Sequence, residues 1–452
     1  MNLLTHLKKF LNTHTDPALP LLLGLSGGED SMCLFHLLVH AKAQFACVHV
    51  DHRWRAESKE EAASLQEICV RQGIPFHKEE VDYSAKTGNM EEYCREERLR
   101  IFHRLILAHN YQGVMLAHQA ADLSETVLKR VFEGASIVHL KSMEKVSSYK
   151  NMLILRPLLD VKKQEIQDYI RLNQIEYFTD RTNSDEKYLR ARMRLKLFPE
   201  VTQLFGKSIE DPLIRIAEES AMISHFLDQQ TEPFIAAGHS CSLGYFLDLS
   251  NVEKMHIALA MHLLTRVSKE LKMTLSRTQK EDAAKALIDG RANLSFETEG
   301  KRLEIDRKRI LFFTSDKLAP FTFEALKKGG VNSSSLIIQE DAEASTQPWK
   351  KFMGWQCLFR GGGVLQIPVE GDLQIKRVMP GESFPGNSPI AKFWTNRKVP
   401  ACLRSYLPGI YQGEQLIADL ATGEVRGGHQ RNCSRTFYVT LDPLATQNQG
   451  PW

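Results

Sequence analysis

Several things are scarce in this chain, and each scarcity closes off a class of function. Charge of one sign is nearly absent as an excess: 58 Lys and Arg stand against 55 Asp and Glu over 452 residues, a net charge of +3. Nucleic-acid binding therefore has to be argued from local clusters and not from overall charge. Paired cysteines are lacking too. The eight cysteines stand singly at 33, 47, 69, 94, 241, 357, 402 and 433, with no C-x-x-C among them. That pattern argues against a zinc or iron–sulfur centre and against a disulfide scaffold. Long apolar runs are missing at the start, where MNLLTHLKKFLNTH reads as an amphipathic helix broken by charge, too short for a signal or membrane segment. We expect a cytoplasmic protein with no membrane contact. No internal repeat or low-complexity tract is visible. What remains is ordinary for a globular enzyme, 43% hydrophobic and 25% charged, and long enough for two or three domains.

The most informative stretch runs from Leu21 to Ser31, LLLGLSGGEDS. An apolar run of strand type breaks at Gly27-Gly28, and Asp30-Ser31 open a helix carrying Leu34, Leu37 and Leu38. Two glycines permit a tight turn whose N–H groups face outward at the positive end of the helix dipole. Such a turn binds phosphate. The same pattern also serves as a plain glycine turn and N-cap between strand and helix. The lysine of a Walker loop and the three-glycine spacing of a dinucleotide fingerprint are both absent.

The next 150 residues alternate short strands with helices. FACVHVDH (45–52), IPFHKEEV (74–81), GVMLAH (113–118) and LILRPLL (153–159) are the strands, with helices over 57–72, 90–109, from Asp122, and over 162–173. This alternation predicts an α/β fold, a Rossmann-like parallel sheet covered on both faces. Ligands then sit beyond the C-terminal strand ends, where Ser26–Ser31, Asp51-His52 and His118 fall. From Lys207 to about Leu311 the text reads as helical, and from Leu336 glycines and prolines punctuate short β-like runs. We expect a catalytic domain over 1–207, a helical domain over 208–325 and a small α+β, β-rich domain over 326–452. The single cysteines Cys33 and Cys94 fall in helices and read as core residues.

The S-G-G-x-D-S loop resembles the pyrophosphate loop of the N-type ATP pyrophosphatases, and five further segments resemble, in order, those of the tRNA(Ile)-lysidine synthetases. HVDHRWRAES (49–58) resembles H-V-D-H-x-x-R-x-x-S. GNMEEYCREERLR (88–100) resembles a G-N-x-E helix, with Glu91, Arg95 and Arg98 on one face; alone, that face also reads as a solvated salt-bridge stripe. MLAHQAADLSETVLKRVFEGAS (115–136) resembles A-H-H-x-D-D-x-x-E-T, and RPLLDVKKQEIQDYI (156–170) the family's R-P-L-L strand and helix. DRTNSDEKYLRARMRLKLFPEV (180–201) resembles D-x-S-N-x-D-x-x-Y-x-R-x-x-x-R, matching Asp180, Asn183, Asp185, Tyr188, Arg190 and Arg194. Residues 181–207 carry seven Lys/Arg against three Asp/Glu. A sixth match lies at 375–419, where residues 376–404 carry six Lys/Arg against one Asp/Glu around Trp394. Basic residues with an interleaved aromatic suit an RNA face, or an ordinary small-domain surface. The resemblance has departures: Gln119 and Ala121 replace a histidine and an aspartate, Glu29 fills the variable loop position, Ala191 stands where the family often has Asn, and Glu382 stands for Asp.

The resemblance implies ATP and Mg2+ as cofactors and, as partners, free L-lysine and an isoleucine tRNA with a CAU anticodon. The wobble cytidine is adenylated at its C2 oxygen, releasing pyrophosphate, and the lysine ε-amine then displaces AMP. It implies nucleotide-binding roles for Ser26, Gly27, Gly28, Glu29, Asp30, Ser31, Asp51 and His118, and metal-holding by Asp30 and Asp122. It implies catalytic roles for Asp30, Asp122, Glu125, Arg95 and Glu91, with Asp122 or Glu125 taking a proton from lysine and Arg95 holding the α-phosphate or the cytidine oxygen. Arg190, Arg192, Arg194, Lys376, Arg377, Lys392, Arg397 and Lys398 are the implied tRNA contacts. Two rivals stay open at this stage, a tRNA thiolase and a catalytically impaired nucleotide- or tRNA-binding protein. Whether the chain works alone or as a homodimer is also open.

Overall fold

The computed structural model describes residues 2–51, 58–81, 90–178, 187, 189–241, 244–314, 324–326, 331–332, 337–340, 362–367, 372–384, 388–404, 408–420, 422, 424–426 and 435–440. The chain divides into two compact units, Met1–His225 and Phe226–Trp452.

In the first unit a helix α1 (Leu3–His14) leads to β1 (Leu21–Gly24), α2 (Glu29–Ala41), β2 (Phe45–Asp51), α3 (Ser58–Arg71) and β3 (Phe76–Glu80). Then follow α4 (Met90–His109), β4 (Val114–Met115), α5 (Ala120–Phe132), β5 (Val146–Tyr149), β6 (Met152–Leu155) and α6 (Lys163–Leu172). The strands form one sheet in the order β3-β2-β1-β4-β6-β5. All neighbours are parallel except β5, an antiparallel edge strand that hydrophobic patterning alone does not announce, because none of its residues is fully buried.

Strand β1 is apolar at successive positions because helices cover both of its faces. Leu21 and Leu23 point into a core with Leu34 and Leu37 of α2 and Ile166 of α6, while Leu22 joins Ile101, Phe102 and Leu105 of α4 on the opposite face. Each such leucine, fully removed from water, contributes roughly 1.5–3 kcal/mol. Cys33 and Cys94 are buried in helices as read from the sequence. The chain winds from β1 outward through β2 and β3, then returns to the other side of β1 for β4 and β6. The reversal leaves a crevice between the ends of β1 and β4, the place where doubly wound sheets bind ligands. After α6 the chain continues through α7 (Leu189–Arg192), a π turn (Met193–Leu197) and α8 (Phe198–Phe205) into the long α9 (Glu210–Ala236).

The second unit holds the stretch read as helical from Phe226 onward, its earlier part lying in the first unit. Its helices α10 (Ile257–Glu270) and α11 (Arg277–Asp289) are there, and with them an antiparallel sheet the sequence reading did not anticipate. That sheet orders β7 (His239–Cys241), β8 (Gly244–Asp248), β11 (Arg309–Thr314), β10 (Lys301–Ile305) and β9 (Leu294–Thr298) as β7-β8-β11-β10-β9. Leu263, Leu264 and Leu287 of the helices pack on Leu247, Leu303 and Phe312 of the sheet. Two further small sheets follow, as the glycine- and proline-punctuated text suggests. One orders β12 (Glu324–Leu326), β16 (Leu373–Arg377), β19 (Pro408–Gln412), β20 (Gln415–Asp419) and β21 (Glu424–Val425) as β12-β16-β19-β20-β21. The other is built from β13 (Val331–Asn332), β14 (Ile337–Glu340), β15 (Gly362–Ile367) and β22 (Arg435–Thr440). A two-stranded ribbon of β17 (Ser383–Phe384) and β18 (Ser388–Pro389) and the short helices α12 (Ile390–Asn396) and α13 (Ala401–Arg404) complete the described elements.

One expectation is overturned here. Trp394 does not stand out among basic residues as a stacking surface; it is 1% exposed and its indole N–H donates to Asp419 Oδ2 at 3.1 Å. On α12 the period of 3.6 turns Trp394 inward and leaves Lys392 and Arg397 outward.

Candidate active site

The loop between β1 and α2 is braced from within. Ser26 Oγ donates to Ser31 Oγ at 3.0 Å and accepts from the Gly28 N–H at 3.3 Å, while Ser31 Oγ donates to the Gly28 carbonyl at 2.9 Å. Gly27 has φ +83°, a left-handed conformation, and a Cβ there would lie 2.7 Å from the Phe178 ring. Only glycine meets both conditions. The Gly27 carbonyl is taken by the Phe178 N–H at 2.9 Å. Gly28 caps α2 with extended backbone angles, so the first-turn N–H groups of a 13-residue helix open onto the crevice.

Glu29 and Asp30 bring two carboxylates to the mouth of this anion-attracting turn. Both are answered by one side chain that sequence reasoning missed: Lys163, at the start of α6, reaches Glu29 Oε2 at 2.8 Å and Asp30 Oδ1 at 2.6 Å. Nothing in Lys162-Lys163 singles the second lysine out, since the pairing spans 133 residues. Burial pushes the Asp30 carboxyl up from its ordinary value. Lys163 opposes that shift, while the charges of Asp122 and Glu29 add to it.

The β4–α5 corner supplies the facing acids. Gln119 is 3% exposed and its side-chain oxygen accepts from the Ala121 N–H at 2.8 Å, while Asp122 Oδ2 accepts from the Gln119 N–H at 3.0 Å. This reciprocal cap explains what Gln119 does in place of a histidine: it starts the helix. Glu125, 3% exposed, is gripped by Arg194 through bonds of 2.7 and 3.1 Å, and the same guanidinium lies 3.6 Å from Asp122. Arg194 sits in the π turn, an irregularity that often marks functional positions. Burial pushes the Glu125 carboxyl up, opposed by Arg194. Asp51 ends β2 at 1% exposure, on the far side of β1.

Beyond β4 and β6 the sign of charge changes. His118 follows β4, and its Nδ1 is buried with no hydrogen-bond partner among the described residues. Burial holds its imidazole near a pKa of about 4, with Asp122 pulling it up and Arg156, Arg98 and Arg190 pushing it down. Arg156, immediately after β6, is 9% exposed. Arg95 stands exposed on α4. Glu91 lies in α4, but its side chain is outside the described residues, as are Asp180, Asn183, Asp185 and Tyr188.

Of the basic residues read as tRNA contacts, Arg190 and Arg192 are exposed on α7, with Arg192 donating to the Lys187 carbonyl at 3.1 Å. Arg194 instead faces the acids just described. In the second unit Lys376 lies 4.4 Å over the Tyr411 ring and 3.1 Å from Glu414, and Arg397 pairs with Glu424. Arg377, Lys392 and Lys398 are exposed.

Asp30 and Asp122 raise the question of a divalent cation. No cluster of three or more His, Cys, Asp or Glu suited to a metal exists among the described residues. Two carboxylates that repel each other across a phosphate-binding turn nevertheless fit magnesium, which takes one or two protein carboxylates and completes its shell with phosphate and water.

Comparison with known proteins agrees with this geometry. The PP-loop domain family matches residues 1–201. The tRNA(Ile)-lysidine synthase of Protochlamydia amoebophila is 30% identical over 435 residues, covering 94% of this chain and 93% of that protein. The enzyme of the same name from Chlamydia muridarum is 43% identical over 228 residues, 50% of this chain and 71% of that protein. That from Chlamydia pneumoniae is 42% identical over 229 residues, 49% of this chain and 70% of that protein.

Proposed function

The chain belongs to the tRNA(Ile)-lysidine synthase family, and from that membership we infer that it is a PP-loop ligase that uses ATP to form lysidine on an isoleucine tRNA. The observation that carries the reading onto this chain is the crevice between β1 and β4. There an outward-facing helix start meets Asp30, Asp122 and Glu125.

The chemistry divides between these parts. In the first step the C2 oxygen of the wobble cytidine of a CAU anticodon attacks the α-phosphorus of ATP, and the bond to pyrophosphate breaks. The first-turn N–H groups of α2 with Ser26, Gly27, Gly28 and Ser31 hold the departing pyrophosphate, whose charge grows as the bond breaks. Asp30 and Asp122 would hold Mg2+, which supplies further neutralisation of phosphate charge. In the second step the ε-amine of free lysine attacks C2, the C2–oxygen bond breaks and AMP leaves. Only the unprotonated amine is a nucleophile, so an acceptor for the ammonium proton is needed. We assign that role to Glu125 or Asp122; in support, burial raises the proton affinity of Glu125, and Arg194 orients it. Lys163 keeps Glu29 and Asp30 from repelling the incoming polyphosphate. Asp51 and His118 border the nucleotide on either side of β1, and Arg190, Arg192, Lys376, Arg377, Lys392, Arg397 and Lys398 offer phosphate contacts.

The test is incubation with ATP, labelled lysine and CAU-anticodon isoleucine tRNA. Label in RNA, with one AMP and one pyrophosphate formed per lysine, is the expected result. Sulfur transfer in place of lysine would assign a thiolase, and ATP or tRNA binding without either product would leave a binding protein.

A further inference from the structure

We propose that Lys163 donates directly to the pyrophosphate part of ATP, and that Glu29 is the residue that positions it there. The proposal rests on the functional reading above and adds to it a substrate contact from outside the loop, which carries no lysine of the Walker kind.

Lys163 stands at the crevice because the chain around it is fastened on both sides. Two residues earlier, the Val161 carbonyl accepts from the Ala120 N–H at 3.0 Å, at the β4–α5 corner. Lys163 itself reaches Glu29 Oε2 at 2.8 Å and Asp30 Oδ1 at 2.6 Å, on the first two residues of α2. The helix it opens is fixed against α2. Ile166 and Ile170 are buried in one core with Leu34 and Leu37, and the Tyr169 hydroxyl meets His36 Nδ1 at 2.9 Å. The backbone ladder of α2 begins with the Met32 N–H on the Gly28 carbonyl at 3.0 Å, so the N–H groups of Glu29, Asp30 and Ser31 precede it. The residues whose N–H groups face an anion are thus the ones whose carboxylates Lys163 holds.

An ammonium carries three N–H donors, and the two carboxylates occupy two of them. The third is left for a phosphate oxygen, and with its side chain 36% exposed Lys163 is not sealed away from a ligand. Such a bond, charged on both sides, is of the stronger kind. Neutralisation alone does not account for the arrangement. Two acids on one lysine leave an excess of negative charge at the turn, which repels a polyphosphate. A neutral residue at position 29 would leave Lys163 and Asp30 balanced. Glu29 gains a use once Lys163 has to be held in place. A lysine stem is flexible, and two anchors order it before the ligand arrives. Glu29 also gives Lys163 an anchor independent of Asp30, the carboxylate read above as holding Mg2+. The acid at the variable loop position is then the partner of a phosphate-binding lysine supplied by α6.

The experiment measures binding of ATP, pyrophosphate and AMP to the full chain by calorimetry, with magnesium and without tRNA. The wild type is compared with Lys163→Met, Glu29→Gln and the double variant. Lys163→Met is expected to weaken pyrophosphate and ATP by about tenfold or more, the size of a charge-assisted hydrogen bond, and to leave AMP within about twofold. Glu29→Gln is expected to weaken pyrophosphate by less, and the double variant to bind it no better than Lys163→Met. A lysine that only neutralises acids gives the opposite signs. Glu29→Gln would then bind pyrophosphate more tightly than the wild type, and the double variant would return to wild-type affinity. Either result overturns the proposal, as does an equal loss of AMP binding in Lys163→Met. If the wild type binds neither ATP nor pyrophosphate, the functional reading itself falls, and this contact with it.

Discussion

Two regions bury polar side chains in opposite ways. Around Trp394 everything is closed: Asp419 is 0% exposed and accepts from the indole N–H, from the Thr422 N–H at 3.1 Å and from the Thr422 hydroxyl at 2.6 Å. At the ends of β4 and β6 the accounts are left open. Arg156 Nε and His118 Nδ1 are buried without partners among the described residues, and the charge of Asp122 adds to the raised proton affinity of Asp30. Burial of charge therefore does not distinguish a site from a scaffold. Between these two regions the difference is whether the protein itself satisfies the buried groups. The first is closed within the fold, and the second is left open at the strand ends where doubly wound sheets bind ligands.

The contrast can be broken at either end. The largest effect is expected from Asp30→Ala or Asp122→Ala, each of which should cut tRNA-dependent pyrophosphate release by about a hundredfold or more, in the range of lost acid–base groups. Retained activity in both variants would return these residues to the scaffold class. Next, Trp394→Ala should cost about 3–5 kcal/mol in denaturant unfolding of the second unit, as large-to-small core changes do. If unfolding is unchanged and KM for tRNA rises instead, Trp394 belongs with the open groups after all. The smallest effect is expected from Lys163→Met. Lys163 lowers the proton affinity of Asp30, which burial has raised, so its loss moves the Asp30 carboxyl further up. Because the ionised form is the one needed, the acid limb of the rate–pH profile should move to higher pH, with several-fold less activity below neutrality. An unmoved limb would show that the Lys163 contact is only structural.

Motifs and periodicity make much of this legible before any coordinates. The strands β1, β2, β3 and β4 and their helices follow from apolar runs bounded by glycine and charge, and the loop from Ser26 to Ser31 follows from its two glycines. Three things are not legible for physical reasons. The edge strand β5 is only half-buried and so carries no apolar alternation. The antiparallel sheet in the second unit hides between two amphipathic helices whose periodicity dominates the reading. Lys163 pairs with Glu29 and Asp30 across a distance in sequence that no local pattern records. The departures at 119 and 121 look like lost function in one dimension, whereas in three Gln119 is an N-cap.

The bond between Phe178 and Gly27 fixes more than the loop's shape. The chain is fastened to the nucleotide turn at residue 178 and to Glu125 at residue 194, so two contacts made by one later part of the chain hold both sides of the crevice. Loss of the first would free the turn and loss of the second the carboxylate, each without unfolding the sheet that carries them.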